Sequence, residues 1–209
     1  MKNIAIFVEG GGSTARAGQD KLREGFDALL GCQKAAARQK CLRWKLGLYG
    51  SRNEAFKAFH DATTRKQVDV AVLLVDAEDP VEDSTPEGRV AHLKTRDGWQ
   101  FEDVDPSRVH LMTQCMEAWI VADPDKLDEF YGKGFNEKAL PKRQLLDEEP
   151  KADLYSALEA ATKGTKKGSY GKIRHASEIL KRLRPSVVST RCISFQQLTQ
   201  WLDDAIEGA

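Results

Sequence analysis

The chain has 209 residues, which suits one domain or one domain with an appended helical subdomain, and its 32 basic and 32 acidic residues leave no net charge. The four cysteines form no CxxC pair, which argues against a zinc site. No stretch has the length and apolarity of a membrane span and nothing at the N-terminus resembles a signal peptide, so we expect a cytoplasmic protein with reduced thiols.

The N-terminal half alternates predicted strands and helices. Apolar runs predict strands over residues 2–8 and 69–75, and alternation of apolar residues predicts a strand over residues 42–49. Helical spacing of leucines and a phenylalanine predicts a helix over about residues 17–38. Ser51 and Glu54 form a capping box, which predicts a second helix that ends near Lys66. The order β-α-β-α-β predicts a parallel sheet with right-handed crossovers.

The second half is predicted to be mainly helical. Residues 79–105 are polar and proline-containing, so we predict a long loop with one helical turn near residues 88–94. A fourth strand follows over residues 109–113. The remaining predicted helices cover residues 115–122, 151–162, 170–183 and 195–206, with a further helix opening at Pro124. We therefore predict an α/β fold with a core over residues 1–135 and a helical extension over residues 136–209, packed on the core.

Acidic residues stand where the predicted strands end. Glu9 closes the first strand, Asp76, Glu78 and Asp79 close the third, and Glu117 follows the fourth. The carboxyl ends of parallel strands are where α/β proteins bind ligands, and grouped carboxylates are what Mg²⁺ prefers. Asp76 and Glu78 would share a face if the chain stayed extended. A single acidic strand end is more often a solvated loop entry, but pairing with Glu9 favours a metal site.

Two further charged positions lie next to predicted helix starts. Glu117 is embedded among apolar residues, so its carboxylate needs a metal, a hydrogen bond or a cation. An ion pair with Arg52 or Lys172 is the structural alternative. Ser51 and Arg52 begin a helix directly after a strand, where free N–H groups and a guanidinium attract phosphate. The alternative for Ser51 is that it simply caps the helix.

Glycines follow Glu9 directly. Gly10 and Gly11 could let the backbone approach a phosphate, and a plain tight turn explains them about as well. The segment is neither a P-loop nor a GxGxxG motif, which argues against Walker-type nucleotide binding.

A basic segment over residues 163–184 holds eight Lys or Arg residues and one acid. We interpret its glycine-bracketed start as a contact to a nucleic-acid backbone, and its end as a solvated helix face. Lys172 could stabilise charge on a phosphoryl group, and His175 could act as an acid or base. The residues predicted to contact nucleic acid are Lys166, Lys167, Tyr170, Arg174 and His175.

At these motifs the chain resembles the Toprim (topoisomerase–primase) fold, and in particular the small stand-alone Toprim-like nucleases of the RloB-like and OLD-related group. The resemblance covers about residues 4–180. The matching stretches are Phe7-Val8-Glu9-Gly10, Gly50-Ser51-Arg52, Leu74-Val75-Asp76, His110-Leu111-Met112, Gln114-Cys115-Met116-Glu117-Ala118-Trp119 and Lys167-Gly168-Ser169-Tyr170-x-Lys172. The second motif reads Asp-x-Glu followed by Asp79 where the family has Asp-x-Asp, which leaves open which acid is the ligand.

The resemblance implies a Mg²⁺- or Mn²⁺-dependent phosphodiesterase that cleaves DNA or RNA. Glu9, Asp76, Glu78 and Glu117 would be metal ligands or general base, and Lys172 would stabilise charge. It also implies an ATPase partner in an anti-phage system, and it leaves a homo-oligomer open. Two alternatives stand beside it: a non-catalytic subunit that docks on an ATPase, and a phosphatase or nucleotidyl-transfer enzyme for small substrates.

Overall fold

The computed structural model describes residues 2–10 and 16–209. Its centre is a four-stranded parallel sheet in the order β2-β1-β3-β4. The strands are β1 (Asn3–Glu9), β2 (Arg43–Tyr49), β3 (Val70–Asp76) and β4 (Val109–Met112). Helices flank the sheet, so the prediction of an α/β, Rossmann-like fold is confirmed.

The helices of the described residues are α1 (Arg16–Leu29), α2 (Gly31–Gln39), α3 (Arg52–Thr64), α4 (Pro86–Asp97), α5 (Glu117–Val121), α6 (Pro124–Tyr131), α7 (Lys151–Thr162), α8 (Ser177–Leu180), α9 (Pro185–Arg191) and α10 (Ile193–Glu207). Short 3₁₀ turns cover Pro106–Arg108, Glu137–Ala139 and Leu146–Glu148, and a π-helical turn covers Lys172–Ala176. None of these helices is both long enough and apolar enough to cross a bilayer, as far as the described residues go.

Both faces of the sheet are apolar and covered. Side chains alternate along β1, so Ile4 and Ile6 pack with α1, α2 and α5–α10, whereas Ala5 and Phe7 pack with α3 and α4. Burial on both faces explains why the strands are continuous apolar runs. The hydrophobic cluster that contains Ile4 and Ile6 also includes side chains from the helices that follow residue 135. The division into a core and a helical extension at that residue stays a prediction.

The strand order places a crevice at the carboxyl edge of the sheet. From β1 the chain first crosses to β2 on one side and then to β3 on the other, so the direction reverses between β1 and β3. Open α/β sheets bind ligands at such a switch point. Val8 is in register with Leu74, which brings Glu9 and Asp76 to neighbouring strand ends.

The structure corrects several predicted helices. The helix expected over residues 17–38 is interrupted at Leu30, whose ψ of 25° leaves the helical range before Gly31 starts α2. The long loop contains the three-turn helix α4, capped by Thr85 and ended by Gly98 in the left-handed region. The helix expected over residues 170–183 begins as a π turn and is shorter, and α9 was not predicted.

Candidate functional site

Three of the predicted acids meet at the crevice between β1 and β3. Glu9, Asp76 and Glu78 each present one carboxylate oxygen, and these oxygens lie within 4.8 Å of one another. The extended conformation that would put Asp76 and Glu78 on one face does not continue past Asp76, because Glu78 has a φ of 70°. That left-handed conformation costs about 1–2 kcal/mol in a residue with a side chain. It is held by the Glu78 N–H, which donates to the Gln114 carbonyl at 2.8 Å.

Asp76 is the buried anchor of this carboxylate cluster. Only 2% of the residue is exposed, and its Oδ1 accepts a hydrogen bond from the Met116 N–H at 2.9 Å. Its Oδ2 lies 3.5 Å from the Lys172 Nζ. Its own N–H donates to Glu9 Oε2 at 3.3 Å, so the backbone of β3 orients the neighbouring carboxylate.

Arg52 reaches the cluster from the start of α3. Its Nη1 lies 3.8 Å from Glu9 Oε2 and 3.8 Å from Glu78 Oε1, and it donates to the Asp76 carbonyl at 3.1 Å. Its Nη2 donates to Asp97 Oδ2 at 2.8 Å. The guanidinium that was predicted to bind phosphate is therefore engaged by protein carboxylates and stabilises their proximity.

Two lysines complete the charged groups around the cluster. Lys172 lies where the sequence predicts it, next to Asp76. Lys151, the first residue of α7, was not predicted, and its Nζ lies 2.5 Å from Glu78 Oε2. The sequence contained one weak signal, since a lysine in the first helical turn opposes the helix dipole and needs a compensating partner.

Two further residues of the site, Asp97 and Trp99, were not predicted from the sequence. They contact Arg52 rather than the acids. Asp97, at the end of α4, pairs with both Arg52 and Arg96. The ring of Trp99 lies 5.3 Å from the Arg52 guanidinium, a cation–π contact. Both contacts depend on how α4 packs against α3, which periodicity does not reveal.

Glu117 is fully buried and incompletely satisfied. Its Oε1 accepts a hydrogen bond from the Tyr170 hydroxyl at 3.0 Å, whereas its Oε2 has no hydrogen-bond partner among the described residues. The alternative of an ion pair with Arg52 or Lys172 is not realised, because both cations pair with other acids. A buried carboxylate oxygen without a partner is costly, so it points to a ligand.

The pKa values of the acids reflect burial first and the neighbouring negative charges second. Burial, and then the nearby Asp76, raise the pKa of Glu9 to about 7, against the opposing effect of Arg52 and Lys172. Burial raises the pKa of Asp76 as well, and Glu117 adds to this. Burial alone would lower the pKa of Lys172, but the surrounding acids outweigh it and raise that pKa. Crowded acids that resist ionisation are typical of functional sites.

Three predicted site residues lie outside the cluster or have another role. Asp79 is exposed and accepts from Arg96 Nε at 3.0 Å, because the turn at Glu78 directs the chain away from the cluster. The Ser51 hydroxyl accepts from the Glu54 N–H, so it caps α3. Gly10 is buried, and a Cβ there would lie 2.7 Å from Leu48 Cδ1, so close packing explains this glycine. The predicted phosphate contact at Gly11 lies outside the described residues.

The basic segment divides into buried and exposed members. Tyr170 supports Glu117, and its N–H donates to the Thr162 hydroxyl. His175 is buried: the Gly171 N–H donates to its Nδ1, and the Tyr131 hydroxyl lies 3.1 Å from the same atom. Burial lowers the pKa of His175. The contact of this residue to nucleic acid stays a prediction. Of the residues predicted to contact nucleic acid, Lys166, Lys167 and Arg174 are exposed, and their contact stays a prediction.

One protein family, described as a domain of unknown function (DUF4276), matches residues 8–203 of the chain. The matched range includes every carboxylate and cation of the site described above. No curated protein and no solved structure matches the chain.

Proposed function

The chain belongs to the DUF4276 family, and within that family we propose that it is a divalent-cation-dependent phosphodiesterase that acts on nucleic acid. The observation that carries the proposal is the set of three carboxylate oxygens, from Glu9, Asp76 and Glu78, within 4.8 Å of one another at the switch point of the sheet. Hard oxygen ligands in such a group suit Mg²⁺ or Mn²⁺.

The residues present fit a hard cation. The site has five carboxylates, counting Asp97 and Glu117, against the four cations Arg52, Arg96, Lys151 and Lys172, which leaves an excess of negative charge. A divalent cation would be attracted by that excess. Glu9, Asp76 and Glu78 would hold the ion, and the unpartnered Oε2 of Glu117 is an additional oxygen donor. When bound, the ion would polarise a phosphoryl oxygen and lower the pKa of a water molecule.

The remaining groups would bind and orient the substrate. Lys172 lies beside Asp76 with its side chain partly exposed, which suits a contact to a phosphate oxygen. The exposed Lys166, Lys167 and Arg174 belong to the same segment and would follow the backbone of a polymer. This arrangement favours a nucleic acid over a small phosphorylated substrate, and salt-dependent binding to oligonucleotides tests the preference.

The test is cleavage of single- and double-stranded DNA and RNA with Mg²⁺ or Mn²⁺. We expect Asp76→Asn to lower the rate by at least about a thousandfold, because a central ligand is lost. Asp79→Asn is the matched control: it removes a neighbouring acid that pairs with Arg96 outside the cluster, and it should retain the wild-type rate. Absence of cleavage by the wild-type protein, alone and with an ATPase encoded beside it, would refute the proposal.

A non-catalytic subunit is the second candidate. One observation favours it: within the cluster, Asp76 and Glu78 already pair with Lys172 and Lys151, so the acids are partly neutralised without any metal. Calorimetry separates the two candidates, because a purely structural network would show no binding of Mn²⁺ or Mg²⁺. The ATPase partner and the anti-phage role rest on the resemblance alone, and co-purification with a neighbouring ATPase tests them.

A further inference from the structure

Lys151 is held in place from both ends. Its Nζ lies 2.5 Å from Glu78 Oε2, and its backbone N–H donates to the Gln114 side-chain oxygen at 3.2 Å. The carbonyl of the same Gln114 accepts the hydrogen bond from the Glu78 N–H. Gln114 is 4% exposed, so one buried side chain and its backbone align the two partners of the ion pair. The pair is therefore built into the fold rather than being a loose surface contact.

The ion pair between Lys151 and Glu78 engages a carboxylate oxygen that the proposed metal ion would need. Glu78 Oε2 faces the Lys151 ammonium and Oε1 faces the Arg52 guanidinium, so cations engage both oxygens of this carboxylate. A divalent cation at the cluster and the Lys151 ammonium would repel each other across a few ångströms. A metal that uses Glu78 Oε2 therefore has to displace Lys151.

The Lys151 ammonium can move away from Glu78 when a metal binds. The Lys151 side chain is 30% exposed, so its flexible stem can turn towards the open side of the crevice while Gln114 keeps its backbone in place. On that side a substrate phosphate would approach the cation. Lys172 stands beside Asp76 and Lys151 beside Glu78, so the two lysines flank the carboxylates.

We propose that Lys151 is an exchangeable cation of this site. It neutralises Glu78 in the metal-free protein, releases Glu78 Oε2 when a divalent cation binds, and then binds a non-bridging phosphate oxygen of the substrate. The exchange breaks and forms only ion pairs, and the ammonium keeps its proton. The inference rests on the proposed function and deepens it, because it assigns a second lysine to phosphate binding.

The first measurement is Mn²⁺ binding by calorimetry with the full chain. Lys151→Met removes a positive charge that competes with the metal, so we expect Mn²⁺ to bind about tenfold more tightly. Lys151→Arg, which keeps the charge, should bind Mn²⁺ as the wild type does. The matched control is Lys34→Met, which breaks the ion pair between Lys34 and Asp27 away from the site and should not change the affinity.

The second measurement is binding of thymidine 5′-monophosphate to the Mg²⁺-saturated protein. Lys151→Met should weaken this binding about tenfold, because one charge-assisted hydrogen bond to the phosphate is lost. Tighter metal binding together with weaker phosphate binding is the signature of exchange. Removal of a lysine that only neutralised Glu78 would also tighten metal binding, but it would leave nucleotide binding unchanged, so the nucleotide measurement distinguishes the two roles.

The outcomes separate this inference from the proposed function. If the wild type binds Mn²⁺ and Lys151→Met binds it equally or less tightly, the exchange is refuted and the proposed function stands. Tighter Mn²⁺ binding with unchanged nucleotide binding refutes the phosphate contact. If the wild type binds neither Mn²⁺ nor Mg²⁺, the proposed function fails as well. Thermal unfolding verifies that each variant is folded, and Lys151→Gln replaces Lys151→Met if the latter does not fold.

Discussion

Two fully buried carboxylates near α5, Glu117 and Asp123, are satisfied in opposite ways. Both oxygens of Asp123 accept hydrogen bonds from the Arg184 guanidinium, at 2.9 and 2.6 Å, and the Arg184 N–H adds a third. Burial by itself would raise the pKa of Asp123, but the hydrogen bonds from Arg184 outweigh it and lower that pKa. Glu117 has no guanidinium partner: the Tyr170 hydroxyl donates to its Oε1, the Tyr155 hydroxyl lies near the carboxylate, and its Oε2 has no hydrogen-bond partner among the described residues.

The difference distinguishes a structural acid from a functional one. A buried carboxylate matched by a bidentate guanidinium needs nothing further, and it ties distant segments of the chain together. A buried carboxylate beside Asp76 that lacks such a partner leaves negative charge uncompensated. This destabilises the fold unless a bound ligand supplies positive charge. Burial alone therefore does not identify the site, whereas burial with unmatched charge does.

Among these comparisons, the largest expected change in metal affinity comes from Glu117→Gln. The neutral amide keeps the size of the side chain and removes a negative charge next to Asp76, so we expect Mn²⁺ affinity to fall by about a hundredfold. Because the charge that is lost was unmatched, the free energy of unfolding of the metal-free protein should stay the same or rise. Calorimetry and urea unfolding in chelator measure the two quantities. A large loss of stability would make Glu117 a structural acid.

Asp123→Asn should show the reverse pattern. Asp123→Asn removes the charge that accepts the hydrogen bonds of Arg184, but the guanidinium keeps Asp125 as a partner at 2.6 Å and its side chain is 43% exposed. We therefore expect the free energy of unfolding to fall by about 2 kcal/mol, from the lost charge-assisted hydrogen bonds. Mn²⁺ affinity of the folded protein should not change. If metal binding weakened as strongly as in Glu117→Gln, the distinction between the two acids would not hold.

Glu9 makes the metal-free protein sensitive to pH. Its pKa in the folded protein is about 7, above the ordinary value of 4.5, so the folded state retains a proton that the unfolded state has already lost. Stability should therefore fall as pH rises from about 4.5 to 7, by about 2–3 kcal/mol from this group. Urea unfolding at several pH values measures the slope. Glu9→Gln should remove this contribution, and saturating Mn²⁺ should oppose it by binding the ionised form.

The smallest effect is expected at the exposed lysines of the basic segment. Lys166→Ala with Lys167→Ala should leave the free energy of unfolding within about 0.5 kcal/mol of the wild type. If each lysine contacts a backbone phosphate, the slope of log affinity against log salt should become shallower by about two. Fluorescence anisotropy with a labelled oligonucleotide provides the slope. An unchanged slope would place the nucleic acid elsewhere.

Local signals in the sequence explain both the successes and the failures for the helices. The capping box of Ser51 and Glu54 is a contact within one helical turn, so its residue types suffice to predict it. The start and end signals of α4 were equally visible, at Thr85 and Gly98. Only one turn of this helix was predicted, because the segment is polar and contains prolines. Part of that polarity is Arg89, whose buried guanidinium donates to the carbonyls of Val109 and Ser84 and to Gln197 Oε1.

The sequence by itself determined the parallel sheet and the position of Glu9 and Asp76 at its carboxyl edge, because strand periodicity and the parallel order follow from local apolar patterns. Only the tertiary structure decided which charges meet there. Lys151 pairs with Glu78 across 73 positions, Tyr170 with Glu117 across 53, and Arg52 with Asp97 across 45. Such pairs form when separate helices and loops pack together, and that packing depends on the shape of the whole core, which no local pattern encodes.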